Sequence, residues 1–125
     1  MTRKPDTARK TTAARRAAPT PLANLRARLG LPRPLFSRLL GFSERAVADW
    51  ESGKKAPSAA AARQVEQLRR LHAQLARLMD ADAIGPWLVA PNAMLGGLKP
   101  IEVVERGEGD RLWHLLYLLE SGTPI

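Results

Sequence analysis

The stretch Leu31-Pro-Arg-Pro-Leu-Phe-Ser-Arg-Leu-Leu-Gly-Phe-Ser-Glu-Arg-Ala-Val-Ala-Asp-Trp-Glu-Ser-Gly-Lys-Lys-Ala-Pro57 decides the fold of this chain. It holds two short runs with helical spacing on either side of Gly41-Phe42-Ser43. Pro32 and Pro34 suit the start of the first run, because a proline in the first turn of a helix lacks only an N–H that had no partner there. That run reaches about Leu40, with Leu35, Phe36, Leu39 and Leu40 on its apolar face and Ser37 small enough to let another helix come close. Ser43 suits the N-cap of the second run, Glu44 to Glu51, whose inward residues are Val47 and Trp50 and whose end is marked by Ser52-Gly53. A tight turn with a permissive glycine, a small residue at the crossing and an exposed first turn on the second helix are what a helix-turn-helix needs to enter a major groove.

Upstream, Leu22, Leu25 and Leu29 recur at helical spacing up to Gly30, a glycine suited to a left-handed C-cap. Downstream, Ser58 can cap a helix that runs without Gly or Pro through Met79. Its seam is Ala61, Val65, Leu68, His72, Leu75 and Met79, widened by Leu71 and Leu78. The first turns of this helix are expected to close the helix-turn-helix core, and its distal half to pack within the chain rather than on a second copy. His72 has no Cys, His or carboxylate three or four positions away, so it reads as a core or flank residue and no metal site is expected.

From Asp80 onward the pattern is short helices punctuated by turns. Pro91-Asn92 and Gly96-Gly97 are turn chemistry, Pro100 suits the first position of a short helix to Arg106, and Gly107 suits its end. Gly109-Asp110 opens a last helix that ends at Gly122. Leu112, Leu115, Leu116 and Leu119 form one face of it, while Trp113 and Tyr117, four apart, fall toward another with Glu120 at its margin. A helix apolar on more than one side needs a second cover: a partner surface or the long helix, and the pattern leaves both open.

The chain of 125 residues is 45% apolar and carries a net charge of +8, so it has room for one domain or two very small ones. Without cysteine it has no disulfide framework, thiolate metal site or Cys nucleophile, which fits a reducing cytoplasm. No apolar region follows the basic start and no segment approaches eighteen continuous apolar residues, so neither export by this route nor a membrane span is expected. Charge is +5 over residues 1–20, +4 over 21–58, +2 over 59–80 and −3 over 81–125. A basic front and an acidic rear suit different partners, with nucleic acid first among those for the front. Residues 1–20 lack bulk apolar side chains and are expected to form a disordered basic arm. Its Arg3, Lys4, Arg9, Lys10, Arg15 and Arg16 either meet phosphates or only keep the chain in solution.

The expected organisation is all-α: a basic arm (1–20), a helix-turn-helix bundle (21–57), a long connecting helix (58–79) and a small helical module (80–125). An enzyme reading gets little support. Gly96-Gly97-Leu98-Lys99 lacks the spacing of a phosphate-binding loop, His72 and His114 have no paired nucleophile, and the rear acids are scattered along helix ends. No catalytic residue and no cofactor is expected.

The front stretch resembles the Xre/phage-repressor type of helix-turn-helix, most specifically in Trp50-Glu-Ser-Gly-Lys-Lys-Ala-Pro57. By that resemblance Arg33 stands where a phosphate-contacting Gln is common, Glu44, Arg45 and Asp49 occupy exposed reading positions, and Lys54 and Lys55 lie by the DNA backbone. Arg45 is the best base reader, since a guanidinium can pair bidentately with guanine. The departures are Pro32 in place of the usual cap and two carboxylates, Glu44 and Asp49, on the face meant for DNA. Glu44 could accept from a cytosine amine.

The rear series Trp87-Leu88, Pro91-Asn92, Leu95-Gly96, Lys99-Pro100-Ile101, Gly107 and Leu115 to Gly122 resembles the toxin-binding domain of the MbcA/ParS/Xre antitoxin family, in that family's order and spacing. With the front motif, the resemblance covers residues 22 to 122. It implies an antitoxin of a type II toxin–antitoxin pair. Its rear module would hold a RES-domain toxin, an enzyme that consumes NAD, and block its active site. The helix-turn-helix would bind double-stranded operator DNA and repress the shared promoter, with a homodimer inside the larger complex. The residues carried over for toxin contact are Trp87, Pro91, Asn92, Leu95, Gly96, Pro100 and Gly107, of which the glycines and prolines are expected to shape turns. The exposed-face argument adds Trp113, Tyr117 and the tail Gly122-Thr-Pro-Ile125. The other reading is a stand-alone dimeric Xre-type repressor whose rear module dimerises it or senses a small ligand; a tight protein partner separates the two.

Overall fold

The computed structural model describes residues 19–122. The cations of the basic arm, from Arg3 to Arg16, and the tail residue Ile125 lie outside the described residues. The described residues are all-α: α1 (Pro21–Leu29), α2 (Arg33–Leu40), α3 (Glu44–Glu51), α4 (Ala59–Leu78), α5 (Ala81–Leu88), a single 3-10 turn (Ala93–Leu95), α6 (Pro100–Glu105) and α7 (Gly109–Glu120).

Helix boundaries follow from local chemistry. The hydroxyls of Ser43 and Ser58 accept from the N–H of Ala46 and Ala61, both at 3.1 Å, so each satisfies a donor that the first helical turn leaves unpaired. Gly30 (φ 68°) and Gly41 (φ 83°) end α1 and α2 in the left-handed conformation, which costs a glycine no Cβ clash. Glu102 reaches back to the start of α6, its carboxylate accepting from the Lys99 N–H at 2.8 Å.

One hydrophobic cluster runs through the whole described chain. Leu22, Leu25 and Leu29 of α1, Phe36, Leu39 and Leu40 of α2 and Val47 of α3 join Leu68, Leu71 and Leu75 of α4. They continue without a break into Ile84, Leu88, Leu95, Ile101, Val103, Leu112, Leu115 and Leu116. The front helices rest on the rear ones directly, α1 on α5 and α2 on α6, as well as on the long helix. The distal half of α4 packs on α5 and α7 of its own chain, as its seam predicts.

Gly85 sets the closest of these approaches. Its backbone lies against the C-terminal end of α1, and a Cβ built there would sit 2.7 Å from the Gly30 carbonyl oxygen and 3.0 Å from that of Leu29. Only a residue without a side chain lets α5 come this near.

Candidate functional site

The first candidate surface is α3, held by three fastenings. Phe42, in the turn, meets Trp50 edge to face with ring centroids 5.2 Å apart. The second fastening is Glu51, whose side chain is only 4% exposed. Its carboxylate accepts from Arg26 Nε at 2.6 Å and from Arg33 at 2.9 Å, so α1, α2 and α3 meet on one buried anion. The Thr20 hydroxyl adds a third, donating to the Glu51 carbonyl at 2.8 Å.

These fastenings decide which side chains α3 leaves exposed. Glu44 and Arg45 are exposed at the start of α3, and Lys54 is exposed beyond its end. Among the described residues neither Arg45 nor Lys54 has an ion-pair partner. Asp49 is largely covered, and Lys55 Nζ lies 3.8 Å from its carboxylate. The cation thus offsets part of the negative charge of Asp49 on this face. Ser43, Arg45, Asp49, Trp50 and Lys55 line a shallow hollow on this face. Arg33 departs from the expectation. Its guanidinium is drawn onto Glu51 instead of standing free for a phosphate, because a buried carboxylate needs charged donors.

The second candidate surface is in the rear. Trp113 (39% exposed) and Tyr117 (66% exposed) stand on the side of α7 opposite Leu112, Leu115 and Leu116. Trp113 borders a groove of about 390 Å³ whose floor includes Leu68, Leu71, Val104 and Leu112 and whose rim carries Arg63, Gln64 and Gln67. Trp113 thus leans toward the long helix without being covered by it. At the other end of α7, Glu120 accepts from Gln74 at 2.6 Å and pairs with Arg77.

The residues carried over from the family divide. Leu95 and Pro100 are core residues with almost no exposed surface, so as folded they are closed to a partner and act by fixing the chain's path. Asn92 is structural as well: its side chain accepts from the Met94 N–H at 2.9 Å, its N–H donates to the Leu98 carbonyl and its carbonyl accepts from Leu95 and Gly97. Pro91, Gly96 and Gly107 lie exposed in turns, and Trp87 is half-buried against the core. Among the described residues, the large apolar side chains that stand outward are Trp113, Tyr117 and Met94, the last beside the Asn92 turn.

Two features lay outside the expectations. One is the anchoring of α3 through Glu51. The other is the cation and amide row Arg63, Gln67, Arg70, Gln74 and Arg77 on α4, whose alternating spacings of four and three place it on one helical face and could have disclosed it. Electrostatics also tie front to rear. Arg38 on α2 pairs bidentately with Glu105 on α6 at 2.7 and 2.9 Å. Hydrogen bonding from that guanidinium, aided by its charge, holds the Glu105 carboxyl below its ordinary range. Burial, with help from the nearby charge of Arg28, lowers His72 below its usual 6.5. Among the described residues no cluster of His, Asp or Glu could hold a metal, and no helix is long and apolar enough to cross a membrane.

No protein-family model matches the chain. The mycobacterial cidal antitoxin MbcA, from Mycobacterium bovis and from Mycobacterium tuberculosis, is 28% identical over 98 residues, which is 78% of this chain and 87% of the relative. A chain of the crystal structure of the M. tuberculosis MbcT–MbcA toxin–antitoxin complex superposes with a TM-score of 0.70 and 26% identity. The superposition covers 83% of this chain and 94% of that one. The likeness in sequence and the likeness in fold each extend over more than three quarters of the chain, which is homologous to the mycobacterial cidal antitoxin MbcA.

Proposed function

We propose that this chain is an antitoxin that neutralises a protein toxin through its rear helices, binds double-stranded operator DNA through α3, and acts in the cytoplasm without enzymatic activity of its own. Its similarity to MbcA over most of both chains carries the reading. The toxin is of the RES-domain class, an NAD-consuming enzyme whose active site the antitoxin closes. Residues 21–57 serve DNA, 58–79 connect, and 80–125 meet the toxin, with Trp113 and Tyr117 as anchors and Trp87, Pro91, Gly96 and Gly107 at the margins. An exposed Trp–Tyr pair favours this role, because large rigid aromatics supply most of the binding energy of many interfaces.

At the DNA end, Arg45 reads a base edge while Lys54 and Lys55 hold phosphates, and two copies on two half-sites repress the shared promoter. Co-expression with the flanking genes, followed by size exclusion of the tagged chain, tests the reading. A stoichiometric partner, toxic alone and silent in the complex, supports it. A protein that purifies without a partner, and whose neighbours are harmless alone, sinks it in favour of a stand-alone repressor. In a complex-forming pair, Trp113→Ala is expected to leave a folded, DNA-competent protein that no longer neutralises the toxin.

A further inference from the structure

The groove beside Trp113 has a lining that selects its occupant. Its floor is apolar, and the indole of Trp113 stands at its edge. Among the described residues that line it there is no Asp or Glu, and the one charged side chain is Arg63. The other cations of α4 are spoken for: Arg69 and Arg70 pair with Glu66, and Arg77 pairs with Glu120. Arg63 is exposed and has no ion-pair or hydrogen-bond partner among the described residues, and the side-chain amides of Gln64 and Gln67 beside it are equally unpaired there. Gly107 and Gly109 bound the groove with no side chains, and a Cβ at either would meet nothing within 4 Å, so there is open space beside them.

We propose that this groove binds a small apolar carboxylic acid. The chain or ring of the acid lies against the leucines and Trp113, and its carboxylate meets the Arg63 guanidinium, with the amides of Gln64 and Gln67 within the same rim as further donors. At about 390 Å³ the groove has the size of a small-molecule site, whereas a helix is about 10–12 Å across and would not enter it. Charge narrows the class: an amine is repelled by Arg63, and a neutral apolar molecule leaves the guanidinium unused. Trp113 is also one of the two toxin anchors, so an acid seated against its indole competes with the toxin for it. This last consequence rests on the toxin-binding reading above; the site itself does not.

Isothermal titration calorimetry of the full chain with octanoate, 1-octanol and octylamine tests the proposal, with far-UV circular dichroism confirming that each variant is folded. Octanoate is expected to bind one site per chain, about three- to tenfold more tightly than 1-octanol, because an exposed guanidinium adds a modest charge-assisted bond. Octylamine should bind most weakly. Arg63→Gln should bring octanoate down to the level of the alcohol, while Arg70→Gln, a cation of the same helix outside the groove, should leave the preference intact. Trp113→Ala should weaken acid and alcohol alike. The proposal is overturned by an alcohol that binds as tightly as the acid, by a preference that survives Arg63→Gln or vanishes equally in Arg70→Gln, or by no saturable binding at about 10 mM octanoate. Octanoate that binds the free chain yet leaves a toxin complex undisturbed would end the competition and leave both the site and the antitoxin reading standing.

Discussion

Replacing Gly85 by alanine sets two known effects of opposite sign against each other. Inside a helix, alanine is favoured over glycine by about 0.5–1 kcal/mol, so α5 taken alone gains stability. In the folded chain the new methyl carbon would lie 2.7 Å from the Gly30 oxygen and 3.0 Å from the Leu29 oxygen, both backbone atoms that cannot swing aside. Relieving that overlap means moving α5 away from α1 and loosening Ile84 and Leu88, which are fully buried. Overpacking of this kind costs about 1–3 kcal/mol, so the clash wins. The expected net loss is about 1–2 kcal/mol, equivalent to a melting point lower by about 5–10 °C for a chain of this size. Thermal unfolding followed by circular dichroism measures it, with Gly109→Ala as control, because a Cβ there meets nothing within 4 Å. A Gly85→Ala protein as stable as the parent, or more so, would refute the close approach of α5 to α1.

Three further outcomes are expected. Glu51→Ala leaves the guanidinium groups of Arg26 and Arg33 facing each other without their anion; because both can still reach water, the loss should be about 2–3 kcal/mol in urea unfolding, and operator binding should fall with it. A loss below about 0.5 kcal/mol would show that the anion is not the fastening of α3. His72 is lowered in the folded state, so its contribution is present above pH 6.5 and is lost as pH falls from there through its folded value. The urea midpoint should drop between pH 7 and 5.5, and His72→Gln should flatten that drop; an unchanged slope would contradict the burial of the imidazole. Arg45→Ala should remove the preference for operator over random DNA, whereas Lys54→Ala should weaken both alike and reduce the salt dependence. Equal losses for Arg45→Ala on both DNAs would sink its role as a base reader.

The helices that the sequence discloses best are those whose ends are written in local chemistry. Ser43, Ser58, Gly30 and Gly41 cap as expected, and the leucines of α1, α2, α4 and α7 bury the predicted faces. Helix α5 is less visible, since Gly85-Pro86 is a pair that elsewhere marks turns; tertiary contact with α1 overrides that local preference. Arg33 shows the limit at the site. Its position in the motif points to phosphate, but its environment contains a buried carboxylate from a helix eighteen residues away, which no local pattern announces. Leu95 and Pro100 show the converse: a motif residue can identify a fold by holding its core.

The hydrophobic cluster that runs unbroken from Leu22 to Leu116 also constrains how such a chain can change. A cut after Met79 would strip α5 from α1 and α6 from α2, exposing Leu29 and Leu39 to water, so the front helices are not a cassette that can be moved to another rear. New pairings of the α3 surface with the α7 surface are then unreachable by exchanging halves. They have to be made in place, one surface residue at a time, on a scaffold that both ends share.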